Sequence, residues 1–266
     1  MTPDECRQTA ERLDEAERTR RQIRMASIDF PDITLADAYA IQNAWRAIQI
    51  ARGEKIVGHK IGLTSKAMQD AVGIKEPDSG FLTQSMMFRD GDAVPCERFI
   101  GLRIEAELAF ILKAPLSGAH LTEDEVLGAI DYVTPALEIL DTRFARVDAE
   151  TGKTRKVFDT ISDNAANAGV VVGTARIAPG AVDLPWIGAV VRKNGAVEET
   201  GLAAGVLGNP ATAVAWLAAR MHANGDHLKA GDLVLAGSFI RPIEVGPGDA
   251  IVADYGPHGT VSVRFR

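Results

Sequence analysis

The sequence predicts an α+β chain folded around a mixed, strongly curved sheet. Three observations lead there. Short apolar or alternating runs, punctuated by glycine and proline, dominate from Lys55 onward and read as strands. These runs outnumber the helical stretches and do not alternate regularly with them, which disfavours a doubly wound sheet or a TIM barrel. No glycine-rich phosphate loop of the Walker or Rossmann kind follows a strand, so nucleotide cofactors lose support.

From residue 3 to about 25 the chain is rich in Glu, Arg, Gln and Ala, with Leu13, Ala16 and Ile23 sparsely placed. That predicts a largely solvated helix and a weak core element. After the break at Phe30 and Pro31, Thr34 and Asp37 form a capping box, and Leu35, Ala38, Tyr39, Gln42, Trp45 and Ile48 follow at helical spacing. This second helix should dock through its Tyr and Trp face. Strands are expected over 56–63, 81–88, 102–112 and 132–140. Thr122 and Glu125 cap a short helix before Tyr132, and Asn209 with Pro210 opens a stronger one running to about His222. An apolar strand at 170–172 and later ones at 233–239, 250–254 and 261–265 complete the pattern, the last three separated by glycine turns. The expected division is an N-terminal helical region over 1–75, packed on a catalytic core over 76–266 as one structural unit.

Composition narrows the function. A chain of 266 residues, 46% hydrophobic and 24% charged, is long enough to bury a sizeable core, so disorder over most of it is excluded. Its 29 Lys and Arg against 36 Asp and Glu leave a charge of −7, with no bulk positive field for nucleic acid or an acidic membrane. Cys6 and Cys96 stand far apart with no CxxC, which argues against a disulfide scaffold or a structural zinc and fits a reducing cytoplasm. The acidic N-terminus does not read as a secretory signal, and no run approaches the ~18 apolar residues of a membrane span.

The most informative segment is Arg103-Ile-Glu-Ala-Glu-Leu-Ala-Phe110. Period 2 sends Ile104, Ala106, Leu108 and Phe110 to one face and Glu105 and Glu107 to the other. Two carboxylates side by side repel and need a cation, arginines or solvent; taken alone, a solvated outer face is the common outcome. A third acid changes the balance. The almost wholly apolar stretch at 132–140 carries Glu138, where a lone charge is costly unless paired or metal-bound. Three strand glutamates with no His or Cys nearby suit Mg2+ or Mn2+. Asp141 is an alternative ligand, disfavoured by strand face. Lys60 is flanked by apolar and glycine positions; burial would lower its pKa and make it a general acid or base, whereas a packed stem with its ammonium in water would not. Asp78 reads on spacing as a turn cap, and the polar cluster at 156–167 as a loop or helix cap. Gly237, Ser238 and Phe239 at a strand end could present a hydroxyl and an N–H to a ligand, or form a bulge. No GxSxG surrounds any serine, so a Ser/His/Asp hydrolase is unsupported.

GHKIGLTS at 58–65, EPDSG at 76–80, RIEAELAF at 103–110, PALEILDTR at 135–143, VFDTISDNAANAG at 157–169, TGLAAGVLGNP at 200–210 and LAGSFIRP at 235–242 occur in order. Together they resemble the hydratase/decarboxylase family of the fumarylacetoacetate hydrolase superfamily, from about residue 30 onward. The resemblance implies a mixed β-roll with flanking helices, and Mg2+, with Mn2+ as the alternative, on Glu105, Glu107 and Glu138. It implies Lys60 and Asp78 at the reacting end of the substrate, and Leu63, Ser162 and Ser238 as substrate contacts. The activity it implies is hydration of a seven-carbon 2-oxo dicarboxylate in aromatic (homoprotocatechuate) catabolism. Hydration of the five-carbon 2-hydroxypenta-2,4-dienoate, decarboxylation of 4-oxalocrotonate, acylpyruvate hydrolysis and a silent partner subunit are the alternatives. A second carboxylate needs a cationic partner, for which Arg155 is the first candidate, with Lys156, Arg143 and Arg241 behind it. A homo-oligomer built from dimers is also implied.

Overall fold

The computed structural model describes residues 1–66, 69–70 and 74–266, and the strands among them form two mixed sheets. The larger comprises β1 (Ile56–Gly62), β2 (Asp78–Thr83), β3 (Met87–Arg89), β5 (Arg103–Leu112), β6 (Ile130–Leu140), β7 (Asn167–Val172), β10 (Leu233–Leu235) and β11 (Ile243–Glu244). Its order is β2-β1-β10-β5-β6-β7-β3, with β11 also on β5. β1 runs parallel to β10 and β3 parallel to β7, and the remaining pairs are antiparallel. The smaller sheet comprises β4 (Ala93–Val94), β8 (Gly188–Lys193), β9 (Ala196–Leu202), β12 (Ala250–Asp254) and β13 (Thr260–Phe265), in the order β4-β13-β12-β8-β9.

Side-chain alternation explains why both faces of the larger sheet are covered. Ile104, Leu108 and Phe110 of β5 and Val133, Leu137 and Ile139 of β6 join one large apolar core with Val191, Ile251 and Val263 of the smaller sheet. The opposite face of the same strands carries Ala109 and Ala136 in a smaller cluster with Leu82, Val170 and Leu235. The three glutamates stand on that second face. The β-roll with flanking helices is thus present, with helices α1 (Pro3–Thr19), α2 (Ala26–Asp29), α3 (Leu35–Ala51), α4 (Glu123–Ala129), α5 (Val157–Ser162) and α6 (Pro210–Ala223).

The first helix departs from expectation twice. It ends at Thr19, where Arg20 turns left-handed at φ 54°, and it is a core element, not a weak one. Cys6, Ala10 and Leu13 repeat at helical spacing and bury against Met25, Ile41, Trp45 and Phe144; small apolar residues hid that stripe. The Thr34 capping box forms as expected: Thr34 Oγ1 accepts from the N–H of Asp37. Trp45 is fully buried and Tyr39 half-buried. The 81–88 run splits into β2 and β3 around a 3₁₀ turn at Gln84–Met86. The 233–239 run stops at Leu235, since Gly237 takes φ 119° against Thr64. The β8–β9 hairpin was not expected, although Asn194-Gly195, both at positive φ, is the ordinary signal for such a turn. The helical region over 1–75 also carries β1, which pairs within the larger sheet.

Candidate metal centre and active site

Register builds the acid cluster. β5 and β6 pair so that Glu105 faces Glu138 and Glu107 faces Ala136, placing all three glutamates on one face of adjacent strands. Their ligand oxygens lie within 4.8 Å of one another. Glu107 and Glu138 are buried and Glu105 is half-buried.

A break in the sheet supplies one of the supports. β10 pairs β5 at residues 109–111 and β11 pairs it at 103–104, so neither lies opposite Glu105 and Glu107. The loop after Leu235 fills that gap, and the freed N–H of Gly237 donates to Glu107 Oε2 at 2.9 Å. Glu138 Oε1 accepts from Asn167 Nδ2 at 2.7 Å and faces Lys60 Nζ at 3.4 Å. The other oxygen of each acid, Glu107 Oε1 and Glu138 Oε2, is buried with no hydrogen-bond partner among the described residues. Buried carboxylate oxygens left unpaired are costly, and a cation would satisfy them.

Electrostatics agree. Burial, and then the neighbouring Glu138, push Glu105 up to about 8 and raise Glu107 well above the carboxylate range. Buried like-charged oxygens with open positions fit a hard divalent cation, so the donor set present here suits Mg2+ or Mn2+. Asp141 is not available for that role: its carboxylate accepts from the N–H groups of Ile100, Gly101 and Thr142 at 2.8–2.9 Å.

Lys60 on β1 is 4% exposed and donates to the Ala165 carbonyl at 3.1 Å. Burial alone does not set its pKa. Burial does act downward, but Glu138, Asp78, Glu107 and Glu105 together hold the ammonium above its ordinary value. Lys60 is therefore a charged acid in this state. Asp78 is not a turn residue: it opens β2, is buried, and leaves Oδ1 without a hydrogen-bond partner among the described residues. Burial raises its pKa, while Lys60 and the Gly62 N–H act against that rise. A Cβ on Gly62 would collide with both Asp78 Oδ1 and Lys60 Nζ, so glycine there lets the pair converge.

The 164–166 turn ties these parts together. Asn164, Ala165 and Ala166 are all left-handed (φ 52°, 50° and 62°), a costly run for residues with a Cβ. It is held from both ends. Asn164 bonds the N–H and carbonyl of Phe81 at 2.8 and 2.9 Å. Buried Arg143 bonds Asp163 Oδ1 at 2.5 Å and the carbonyls of Asp163 and Asn167 at 2.8 and 3.1 Å. The result aims the Ala165 carbonyl at Lys60 and the Asn167 amide at Glu138.

Of the remaining expected residues, Leu63 follows Gly62 in a left-handed conformation (φ 54°) and is half-buried. Ser162 is fully buried at the end of α5, its hydroxyl without a partner among the described residues. Ser238 Oγ donates to the Ile240 carbonyl at 3.0 Å and accepts from the Ile240 N–H at 3.2 Å within its own loop. Arg155 is half-buried, and its Nη1 has no hydrogen-bond partner among the described residues. Sequence reasoning missed Asn167, the Ala165 carbonyl and the Gly237 N–H as parts of the site. Asn167 lay inside a quoted motif; the other two are backbone groups, on which side-chain identity is silent.

Known proteins place the chain. Residues 50–266 match the model of the fumarylacetoacetate (FAA) hydrolase C-terminal family. The chain is 53% identical over 256 residues to 2-oxo-hept-4-ene-1,7-dioate hydratase of Escherichia coli, covering 96% of each. It is 37% identical over 266 residues to a 2-keto-4-pentenoate hydratase of Paraburkholderia xenovorans, covering 100% of this chain and 97% of that one. Its backbone superposes with a TM-score of 0.94 on 4-oxalocrotonate decarboxylase from Pseudomonas putida G7 complexed with magnesium and adipate, at 38% identity, covering 100% and 99% of the two chains. With its β-roll, its ordered motifs and these matches in agreement, the chain belongs to the fumarylacetoacetate hydrolase family.

Proposed function

We propose that this enzyme, a lyase like the hydratases it resembles, is a Mg2+-dependent hydratase of 2-oxo-hept-4-ene-1,7-dioate in homoprotocatechuate catabolism. It would yield 4-hydroxy-2-oxoheptane-1,7-dioate. The observation that carries this reading is the glutamate cluster with two orphaned oxygens beside the buried Lys60 and Asp78 pair. The 53% identity to a hydratase of that substrate supports it.

Glu105, Glu107 and Glu138 would hold the cation, with Mn2+ as an alternative occupant. When bound, it supplies a Lewis acid for the carboxylate and 2-oxygen of a 2-oxo acid. The side chains then have three proton movements to manage. One proton leaves C3 and one reaches C5 as the double bond moves into conjugation; the oxygen of water then bonds C4, and the proton water releases is balanced by the one that C3 regains. Asp78 Oδ1, buried and unpartnered, is suited to exchange a proton with carbon. Lys60, held charged by the surrounding acids, is suited to stabilise negative charge and return a proton. Leu63, Ser162, Ser238 and Arg155 are proposed to contact the substrate. Residues 1–75 and 76–266 act here as one unit, because Lys60 stands in the first and Asp78 in the second. A cytoplasmic homo-oligomer built from dimers completes the proposal; no described helix is long and apolar enough to cross a membrane.

The test is an assay of metal-stripped enzyme by ultraviolet loss of the conjugated dienol, with and without Mg2+. The seven-carbon diacid and the five-carbon 2-hydroxypenta-2,4-dienoate are compared while CO2 is followed. Mg2+-dependent loss favouring the diacid, without CO2, is the expected result. Preference for the five-carbon acid overturns the substrate, CO2 release makes the enzyme a decarboxylase, and silence on both overturns the catalytic reading.

A further inference from the structure

Residues 146–155 form a small hairpin next to the site. The Arg155 N–H donates to the Arg146 carbonyl and the Asp148 N–H to the Lys153 carbonyl, both at 2.9 Å, with Val147 bridging Thr154 between them. Asp148 closes the tip by accepting from the Thr151 N–H and hydroxyl at 2.8 Å, and it pairs with Arg24 at 3.1 Å. This register places Arg146 and Arg155 directly opposite one another, with both side chains on the same face.

Two cations so placed repel, and no acid among the described residues pairs directly with either: Glu244 and Asp141 act on Arg146, and Asp163 and Asp159 on Arg155, only from a distance. Both are half-buried, and among the described residues neither has a carboxylate within 4.0 Å. The acids whose charge Arg155 feels most, Asp163 and Asp159, are otherwise engaged. Asp163 holds Arg143, and Asp159 accepts from the Ser27 N–H and hydroxyl and from the Lys156 N–H. Arg155 Nη1 is buried and, among the described residues, unbonded. Burial is the main reason that both guanidiniums fall below their ordinary pKa.

Arg146 of the pair adjoins Arg103, on the strand that carries Glu105 and Glu107. Arg155 is close enough to Asp78 to pull its carboxyl pKa down. Arg146 lines a cleft of about 420 Å³ together with Arg103. Arg103 precedes Glu105 by one pleat on the same face of β5, roughly 7 Å along the strand. Arg103 itself is engaged by Glu244 at 2.5 Å, whereas Arg146 and Arg155 have no such ion pair among the described residues. The other basic residues considered from sequence are elsewhere or occupied: Arg143 is tied to Asp163, Arg241 is exposed and pairs with Glu199, and Lys156 is exposed.

We infer that Arg146 and Arg155 together form the distal end of the substrate site and bind a second carboxylate, so that the enzyme selects 2-oxo dicarboxylic over 2-oxo monocarboxylic acids. This rests on the reading that the 2-oxo acid head binds at the glutamate cluster. Planar guanidinium forks match a carboxylate with two parallel hydrogen bonds, and one anion shared by two arginines relieves their mutual repulsion.

The probes are 2-oxoheptanedioate and 2-oxoheptanoate, which share a head and differ in the second carboxylate. Each is titrated calorimetrically into the Mg2+-loaded protein. The wild type should bind the diacid at least tenfold more tightly. Arg155→Met and Arg146→Met should each remove most of that preference, and Arg155→Lys should restore part of it. Monoacid affinity within about twofold of wild type in these variants shows that fold and head site are intact. Equal binding of the two acids by the wild type, or a preference that survives both methionine variants, overturns the distal assignment alone. If the wild type binds neither acid, the reading of the head site fails, and the inference fails with it.

Discussion

Lys60 shows how a single side chain acquires a role from its neighbours. Its ammonium sits 3.4 Å from Glu138 and 3.1 Å from the Ala165 carbonyl, sealed from solvent in a ring of acids. An alanine there removes the proton donor but none of the three glutamate ligands. Lys60→Ala should therefore lower kcat by about 10²–10⁴ while leaving Mg2+ affinity nearly unchanged, as read by steady-state assay and metal titration. Near-wild-type turnover would remove Lys60 from the mechanism. The acids themselves were legible in the sequence because alternation assigns a face, and a lone Glu138 in an apolar run demands a partner. Asp78 was not legible from spacing, since turn chemistry around Pro77 and Gly80 masks a strand start; the family motif alone pointed to it. The charge state of Lys60 was not legible either, because it depends on four acids brought together from three other strands.

At the level of elements, the decisive feature is the gap that β10 and β11 leave along β5. Continuous pairing would have consumed the backbone groups there; the interruption frees the Gly237 N–H for Glu107. Gly237 holds φ 119°, and a Cβ would strike Thr64. Gly237→Ala should cost stability and weaken Mg2+ binding about 10–100-fold through the displaced Glu107, measured by thermal melting and metal titration. Unchanged metal affinity would show that the N–H is dispensable. The run of apolar residues at 233–239 conceals this break, since periodicity reports burial and not where a ladder ends. The helices beginning after Thr34, Thr122 and Asn209 were legible because their caps are local chemistry. The hidden stripe of α1 was not, because Cys6 and Ala10 weigh little in a hydrophobic pattern.

For the whole molecule, the acid cluster couples folding to pH and to metal. In the metal-free protein Glu105 titrates near 8 and Glu107 above its ordinary range, both higher than in an unfolded chain. The native state therefore keeps protons that the unfolded state has released. The associated stability is complete below the ordinary carboxylate range and is lost as pH rises toward about 8. A bound cation replaces those protons, so its affinity should rise over the same window. Calorimetry should show the metal-free Tm falling from about pH 5 to 8, and Mg2+ should raise it more at pH 8 than at pH 6. A metal-induced shift independent of pH would contradict this coupling. The left-handed tripeptide at 164–166 sets a further limit, on how far the protein can be hardened against heat. Glycine at 165 or 166 would relieve about 1 kcal/mol of backbone strain per position. It would also slacken the carbonyl that restrains Lys60, so thermal robustness and turnover draw on the same few bonds.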